Sequence, residues 1–323
     1  MVVNGSSSLV VSAPGKLMIS GEYAVLAGAE AIVAAVDRRA HARVRWADAP
    51  AAPAEARAAF VQVEHQYGAL GYEPTVDVSA LRAKDAKLGL GSSAAAAAAS
   101  AGLALLAHGQ EITSEIARRR VFDAAWRGHQ DVAPIGSGAD VAASVFGGYI
   151  RFVRHGEEIQ VTPLAWPTEL RVHVVWTGQE ARTSTFLERV AALAQAEPAL
   201  HAERLQALKD EAARFVRAVQ ARDTQGILAS TDAYGRAMGA LGEAAGIPIV
   251  NDTLRKVAEL AQRSGGAAKP SGAGGGDVAI ALFADQASET RFRALCEDAK
   301  FTLLATELGA PGVRLEDGPG ARR

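Results

Sequence analysis

Lys87-Leu-Gly-Leu-Gly-Ser-Ser-Ala94 leads straight into an alanine-rich run that continues to Ala107. Alanine has the best helix propensity, and Gly91-Ser92-Ser93 supplies capping residue types, so the pattern predicts a helix over Ser92–His108. Small residues let backbone N–H groups approach a ligand, and a helix N-terminus adds partial positive charge. Together they suit a phosphate chain, with the hydroxyl of Ser92 or Ser93 available to phosphate or Mg2+. A well-capped core helix has the same composition, so the segment gains meaning only from its company.

Two other motif readings of this stretch fail. Gly89-x-Gly91-x-x-Ala94 fits a loose dinucleotide fingerprint, but Arg82 to Lys87 is too charged to be the buried strand that must precede one. Gly91-x-Ser93 is half of a hydrolase elbow, and Ala95 stands where its second glycine belongs. A Walker A loop is absent, because Val10 occupies the glycine position five before Gly15-Lys16. His-Arg-Asp and Asp-Phe-Gly kinase signatures are absent as well.

Two further glycine-rich segments flank the first. Ser12-Ala-Pro-Gly-Lys16, followed by Gly21-Glu-Tyr23, presents a lysine at a fixed place; alone it reads equally as a hairpin with a solvated lysine. Lys269-Pro-Ser-Gly-Ala-Gly-Gly-Gly-Asp277 is a loop almost free of side chains, able to close over phosphates, and it enters the apolar strand Val278–Phe283 at once. Asp140 follows Gly136-Ser-Gly at the start of a predicted helix, where an aspartate also suits the helix dipole.

The 323 residues suit two domains, and 49% hydrophobic with 22% charged residues excludes a disordered chain. A net charge of -2 offers no global attraction for nucleic acid, and one cysteine, Cys296, excludes disulfide frameworks and multi-cysteine metal sites. Met1 to Ser12 lacks a charged signal-peptide start and the alanine run is too short to span a bilayer, so a cytoplasmic protein without membrane partners is expected. Strands are expected at Leu9–Ala13, stopped by Pro14-Gly15, and at Leu17–Ser20, Ala31–Val36, His41–Trp46, Thr75–Val78, Tyr149–Val153 and Leu170–Trp176. Closing strands are expected at Thr302–Ala305 and Val313–Glu316. Helices are expected at Glu55–Leu70, ended by Gly71, at Thr113–Gln130 with Ile116 on its apolar face, and at Asn251–Arg263 and Glu289–Lys300. Ser184–Ala244 reads as helical with breaks at Pro198 and Asp223–Gly226. Helices and strands mix in both halves, which predicts an α+β protein with a boundary near residue 168.

In this order and at these separations, Pro14-Gly-Lys16…Gly21-Glu22, Gly89-Leu-Gly-Ser-Ser-Ala94 and Gly272-Ala-Gly-Gly-Gly276 resemble the three motifs of the GHMP kinase superfamily, over nearly the whole chain. The resemblance implies the GHMP kinase fold. Residues 1–168 would form a ribosomal-protein-S5-like, ATP-binding domain, residues 169–323 a ferredoxin-like domain, and the active site the cleft between them. Lys269–Asp277 and Gly136-Ser-Gly-Ala-Asp-Val-Ala are most similar to the phosphomevalonate kinase branch; mevalonate kinases usually carry Thr-Gly-Ala-Gly-Gly-Gly-Gly at the third motif. Trp176-Thr-Gly-Gln-Glu-Ala-Arg-Thr-Ser-Thr185 is similar to a loop of both branches. Many relatives carry Gln-Gly-Lys before Gly136, whereas this chain has Ala133-Pro-Ile135, so a substrate-side lysine is missing from that place.

The resemblance also implies roles. ATP and Mg2+ would be the cofactors and a small molecule the acceptor, in a monomer or homodimer. Lys87, Gly89, Leu90, Gly91, Ser92, Ser93 and Ala94 would surround the ATP phosphates, with Ser92 or Ser93 assisting Mg2+. Lys16 and Asp140 would be catalytic, Lys16 lying between the transferred phosphoryl group and Asp140. Glu22, Tyr23, Ser137, Arg182, Ser271, Gly274 and Gly275 would lie toward the acceptor. An acceptor phosphate needs cations, for which Lys84, Lys87 and Arg182 are candidates, and after them Arg127 and His129. The implied reaction is phosphorylation of phosphomevalonate in the mevalonate pathway. Phosphorylation of a hydroxyl, as by a mevalonate kinase, is the alternative, as is a non-catalytic metabolite sensor, against which Lys16, Ser93 and Asp140 argue.

Overall fold

The computed structural model describes residues 9–44, 51–83, 86–181 and 183–316. Its first two strands, β1 (Val10–Ser20) and β2 (Ala31–Val44), form a long antiparallel pair. Pro14-Gly15 does not stop the chain; β1 runs through it. The irregularity is a register shift instead, with Pro14 opposite Arg39 and Lys16 opposite Ala35, so that residues 36–38 of β2 face Gly15 alone. A proline lacking its N–H is tolerated at such a place. Gly15 is required there, because a Cβ would stand 2.5 Å from Leu90 O and from Leu81 Cδ2. The two strands expected between Ala31 and Trp46 are likewise one strand, continuous through Asp37 and Arg38; Trp46 lies outside the described residues.

Side-chain alternation changes phase across the shift. Val11 and Ala13 enter a core beneath helices, whereas Leu17 and Ile19 enter a second core shared with the C-terminal half. The ladder is interrupted there, with two surplus residues on β2, and beyond the interruption β1 resumes its alternation with the opposite face inward.

The N-terminal half continues with α1 (Ala54–Tyr67), β3 (Pro74–Asp77), the short strands β4 (Arg82–Ala83) and β5 (Ala86–Lys87), α2 (Ser92–Ala107), α3 (Glu115–Val132), α4 (Ala139–Phe146), β6 (Tyr149–His155) and β7 (Glu158–Pro163). α1 ends earlier than expected, at Gly68, whose N–H bonds to Glu64 O. The alanine helix α2 is buried from Ala94 to Leu105, packed between the first sheet and helices α1, α3 and α4. Alanine and glycine allow this crowding: a Cβ on Gly128 of α3 would stand 2.2 Å from Ala59 N of α1. Ile116 of α3 is 72% exposed, since the helix turns its apolar stripe through Ala117, Val121, Phe122 and Ala125, and Ile116 lies off that stripe.

The C-terminal half comprises β8 (Arg171–Trp176), α5 (Thr183–Ala196), α6 (Pro198–Gln220), α7 (Thr224–Ala245), α8 (Asp252–Arg263), β9 (Ala267–Ser271), β10 (Val278–Phe283), α9 (Gln286–Asp298) and β11 (Thr302–Leu304), ending in β12 (Arg314–Leu315). The breaks at Pro198 and Asp223 are helix starts: Pro198 opens α6 and Asp223 caps α7 by accepting from Gly226 N. The second sheet has the order β11-β8-β10-β9. Along β10, Val278, Ile280 and Leu282 face the core shared with Leu17 and Ile19, while Ala279, Ala281 and Phe283 face α8 and α9. Among the described residues, no helix is long and apolar enough to cross a membrane.

The last strand returns to the first sheet. β12 pairs with β1, giving the order β12-β1-β2-β6-β7 with β3 also on β2. Arg39 fastens this return. Its guanidinium donates to Ser12 Oγ at 2.7 Å, to Pro311 O at 2.7 Å and to Gly312 O at 2.7 Å, and burial, aided by the Arg314 charge, draws its pKa down to about 10. Arg39→Met strands these acceptors and is expected to destabilise the fold by about 2–4 kcal/mol, read as a lower urea midpoint at unchanged m.

Candidate active site

A cavity of about 180 Å3 opens where the two halves meet, and all three glycine-rich segments reach it. Lys16 and Met18 of β1 line one wall, Gly89 a second, and Ser271, Gly272, Ala273 and Asp277 a third. Ser137, Ala139 and Asp140, at the start of α4, close it from the side.

Glycine sets how closely these walls approach. A Cβ on Gly91 would stand 2.7 Å from Lys16 Cγ, and one on Gly89 would stand 2.3 Å from Asp277 Cβ. Gly91 adopts φ +72° and heads α2, and no side chain caps the helix. Ser92 and Ser93 are therefore its first helical residues and not its caps, which leaves the leading N–H groups of the helix free of side-chain partners. Lys16 N donates to Leu90 O at 2.8 Å, tying the lysine strand to the same loop.

Asp140 is the second residue of α4, behind Gly138 at φ +88°. The Trp126 ring lies against Gly138, where a Cβ would come within 3.1 Å of it. Ser137 Oγ accepts from Ala139 N at 3.2 Å and Asp140 Oδ1 from Val141 N at 2.9 Å, so local backbone bonds hold both side chains.

The turn after β1 is clasped by the C-terminal half. Ser271 Oγ accepts from Met18 N at 3.0 Å and donates to Met18 O at 2.9 Å. Tyr23 OH donates to Ala273 O at 2.5 Å, and Tyr234 OH to Glu22 O at 2.8 Å. Burial first, then the Glu22 charge, pushes the Tyr23 phenol far above its ordinary pKa, so it remains a donor. Glu22 lines the cavity and is ion-paired with buried Lys269.

Gly274 and Gly275 face away from the cavity. Their Cβ atoms would meet Ile249 O at 2.3 Å and Phe186 Cζ at 2.4 Å, so these glycines press the loop against its own lobe. Lys87 is exposed, and its N–H bonds to Glu180. Lys84 and Arg182 lie outside the described residues. His129 is buried and stacks on Trp126, and Arg127 borders a different depression beside Asp123. Ile135, in the place of the lysine of many relatives, lines the cavity mouth at 55% exposure. Among the described lining residues, Lys16 is the one cation.

Asp277 and Lys269 bound the third segment, yet sequence reasoning gave neither a role. Asp277 carries φ +53° and binds the 177–181 loop three ways. Its N–H donates to Gln179 O at 2.7 Å, its carbonyl accepts from Thr177 N at 2.9 Å, and its Oδ1 accepts from Ala181 N at 3.0 Å. Burial pushes its carboxyl pKa up, opposed by the Ala181 N–H and the Lys16 charge. The signal for both was positional: they are the only ionisable residues in a nine-residue run.

A phosphate-bearing ligand fits this combination of a free helix start, a lysine and close-lying glycines. Among the described residues, no three acidic, histidine or cysteine side chains gather to hold a metal alone. Mg2+ does not need such a cage, because it usually binds through one or two protein oxygens together with substrate phosphates. The Ser92 and Ser93 hydroxyls beside the helix start fit that role.

Two family models match this architecture, the GHMP kinases N terminal domain over residues 55–148 and the GHMP kinases C terminal over residues 215–299. The chain belongs to the GHMP kinase family. It is 27% identical to a phosphomevalonate kinase of Streptomyces sp. (strain CL190), over 89% of this chain and 93% of that one. It is 28% identical to a mevalonate kinase of Aeropyrum pernix, over 95% and 98%. A Streptococcus pneumoniae phosphomevalonate kinase, solved with phosphomevalonate and AMPPNP, superposes with a TM-score of 0.79 at 18% identity, over 93% of this chain and 99% of that one.

Gly91→Val would drive a branched side chain into Lys16 at a backbone angle that valine rarely adopts. Affinity for a fluorescent ATP analogue is expected to fall at least tenfold, with Tm lowered by only a few degrees. Unchanged affinity in the folded variant would exclude this loop from the nucleotide site.

Proposed function

We propose that this protein is a phosphomevalonate kinase, transferring the terminal phosphoryl group of MgATP to the phosphate of phosphomevalonate in the mevalonate pathway. The observation that carries the proposal is that Lys16, Asp140 and the third glycine segment, with its Ser271 and Asp277, line one cavity. That third segment is the one most similar to phosphomevalonate kinases, and the Streptomyces relative along most of the chain bears the same name.

In this reading the Gly89–Ser93 loop and the α2 N-terminus cradle the ATP phosphates. Mg2+, when bound through the Ser92 or Ser93 hydroxyl, supplies neutralisation of phosphate charge. Lys16 stabilises the charge that spreads over the transferred group. An oxygen of the acceptor phosphate forms the new bond to phosphorus, and the bond to the ADP oxygen breaks. The acceptor's second pKa is about 6, so at neutral pH this oxygen needs no general base. Asp140 then serves chiefly to orient Lys16.

Lys16→Met is expected to lower kcat by on the order of 10²-fold or more while KM for ATP moves less. A kcat within a few-fold of wild type would reduce Lys16 to a packing residue.

The acceptor is tested by coupled ADP release with phosphomevalonate and mevalonate side by side. Turnover with phosphomevalonate and none with mevalonate is expected, together with a modest Asp140→Asn defect at pH 8. Ile135 in place of a lysine and the similarity to the Aeropyrum mevalonate kinase favour the alternative, a hydroxyl acceptor. That alternative calls for a general base, so Asp140→Asn would then cost about 10²–10⁴-fold. Mevalonate as the better acceptor would overturn the assignment.

A further inference from the structure

Lys269 and Glu22 form an ion pair between the two halves of the molecule, at 1% and 2% exposure. The ammonium is fully engaged: it donates to Glu22 Oε1 and, at 2.8 Å, to Pro270 O, and it lies 5.3 Å from the centre of the Tyr234 ring. The carboxylate is engaged on one side only. Oε1 takes Lys269 and, at 3.4 Å, the Gly272 N–H, whereas Oε2 is buried with no partner.

An interface clasp does not require this arrangement. Ser271, Tyr23 and Tyr234 already join the halves with neutral hydrogen bonds. A buried ion pair is often no more stabilising than apolar groups of the same shape, and an unfilled carboxylate oxygen is a further cost. Both features become useful if a ligand in the adjoining cavity completes the carboxylate.

We propose that Lys269 is a positioning residue for the phosphoryl acceptor: it holds Glu22 by Oε1 so that Oε2 accepts a hydrogen bond from a hydroxyl of the bound acceptor. A carboxylate only accepts, so its partner must be a donor. Phosphomevalonate offers one, its tertiary 3-hydroxyl; its carboxylate and phosphate are anions that Glu22 repels. The same contact therefore turns the phosphate away from Glu22 and toward Lys16. The inference rests on the acceptor reading given above, and mevalonate carries the same hydroxyl.

The test compares Glu22→Gln/Lys269→Met with Lys269→Met, Glu22→Gln and wild type, by steady-state kinetics and thermal unfolding. Lys269→Met leaves a lone buried carboxylate and is expected to lower Tm sharply. The double variant replaces the pair with uncharged groups of similar shape and is expected to recover most of that Tm. Its KM for the acceptor is expected to stay raised at least tenfold, with KM for ATP within threefold of wild type. Glu22→Gln alone, which keeps an oxygen on Lys269, should show the same split should the Lys269 variants fail to fold. A folded double variant with wild-type acceptor KM, or with both KM values raised equally, would make the pair a clasp and overturn the inference. Wild-type turnover of mevalonate in preference to phosphomevalonate corrects the acceptor and leaves the comparison to be made on mevalonate. Turnover of neither compound overturns the function and the inference together.

Discussion

Had β1 kept its alternation from Val11 to Ser20, Leu17 and Ile19 would lie beneath α2 with Val11 and Ala13. The second sheet would then meet no apolar face on the first. The register shift at Pro14–Lys16 prevents this. It divides one strand between two cores, so that Leu17 and Ile19 pack with Val174, Ile280 and Leu282 of the C-terminal sheet. The same change of phase brings Lys16 and Met18 to the cavity wall. The excess residues of β2 are not idle either: Asp37 accepts from Thr306 Oγ1 and Glu307 N, which docks the segment returning to β12. Cleft, lysine and closing strand thus depend on one irregularity.

The cavity is electrically lopsided. Glu22, Asp140 and Asp277 line it, against Lys16 alone among the described lining cations. Glu22 is balanced by Lys269. Asp140 and Asp277 accept from backbone N–H groups, and Asp277 also feels the charges of Lys16 and Lys87. An unaccompanied polyphosphate would be repelled by such a site. A phosphate chain carrying its own divalent cation would not, and the N–H groups at the start of α2, which no side chain caps, add positive potential. The charge pattern therefore suits the MgATP of the proposed function better than a free polyphosphate anion.

Much of this was legible in the sequence, because glycine clusters report steric demands directly. Gly89 and Gly91 are glycines since Asp277 and Lys16 occupy the space of their side chains, and the sequence showed the demand without the identity of the neighbours. The alanine helix, the breaks at Pro198 and Asp223 and the strand Val278–Phe283 were equally plain, each carrying its own local signal. Pro14-Gly15 misled, because proline and glycine mark a turn and a strand irregularity alike, and only pairing with β2 distinguishes them. At the start of α2, Gly91 of the expected capping triplet is the N-cap, and Ser92 and Ser93 follow as helical residues, in keeping with the helix expected from Ser92. The partnership of Lys269 with Glu22 spans 247 positions and has no local signature at all.

The contacts between the halves bear on how the site selects its ligand. Apolar side chains of both sheets interdigitate beside the cavity, and Met18 of β1 is doubly bonded to Ser271 of β9. Opening the halves as a hinge would expose Leu17, Ile19, Val174 and Ile280 together, each costing on the order of 1.5–3 kcal/mol if fully wetted, and would strand the Glu22–Lys269 charges. Wide opening is therefore rare on energetic grounds, and the floor of the cleft is preformed. Discrimination between acceptors must then come from fixed groups in that floor and from the residues at its mouth, Ile135, Thr183 and Leu187, which lie outside the interlobe clasp. An apolar Ile135 at the mouth leaves the recognition of any acceptor anion to the interior, where Lys16 stands against three carboxylates. On the function proposed above, the charge layout of a floor that does not open would turn the acceptor's phosphate toward Lys16 and its hydroxyl toward Glu22.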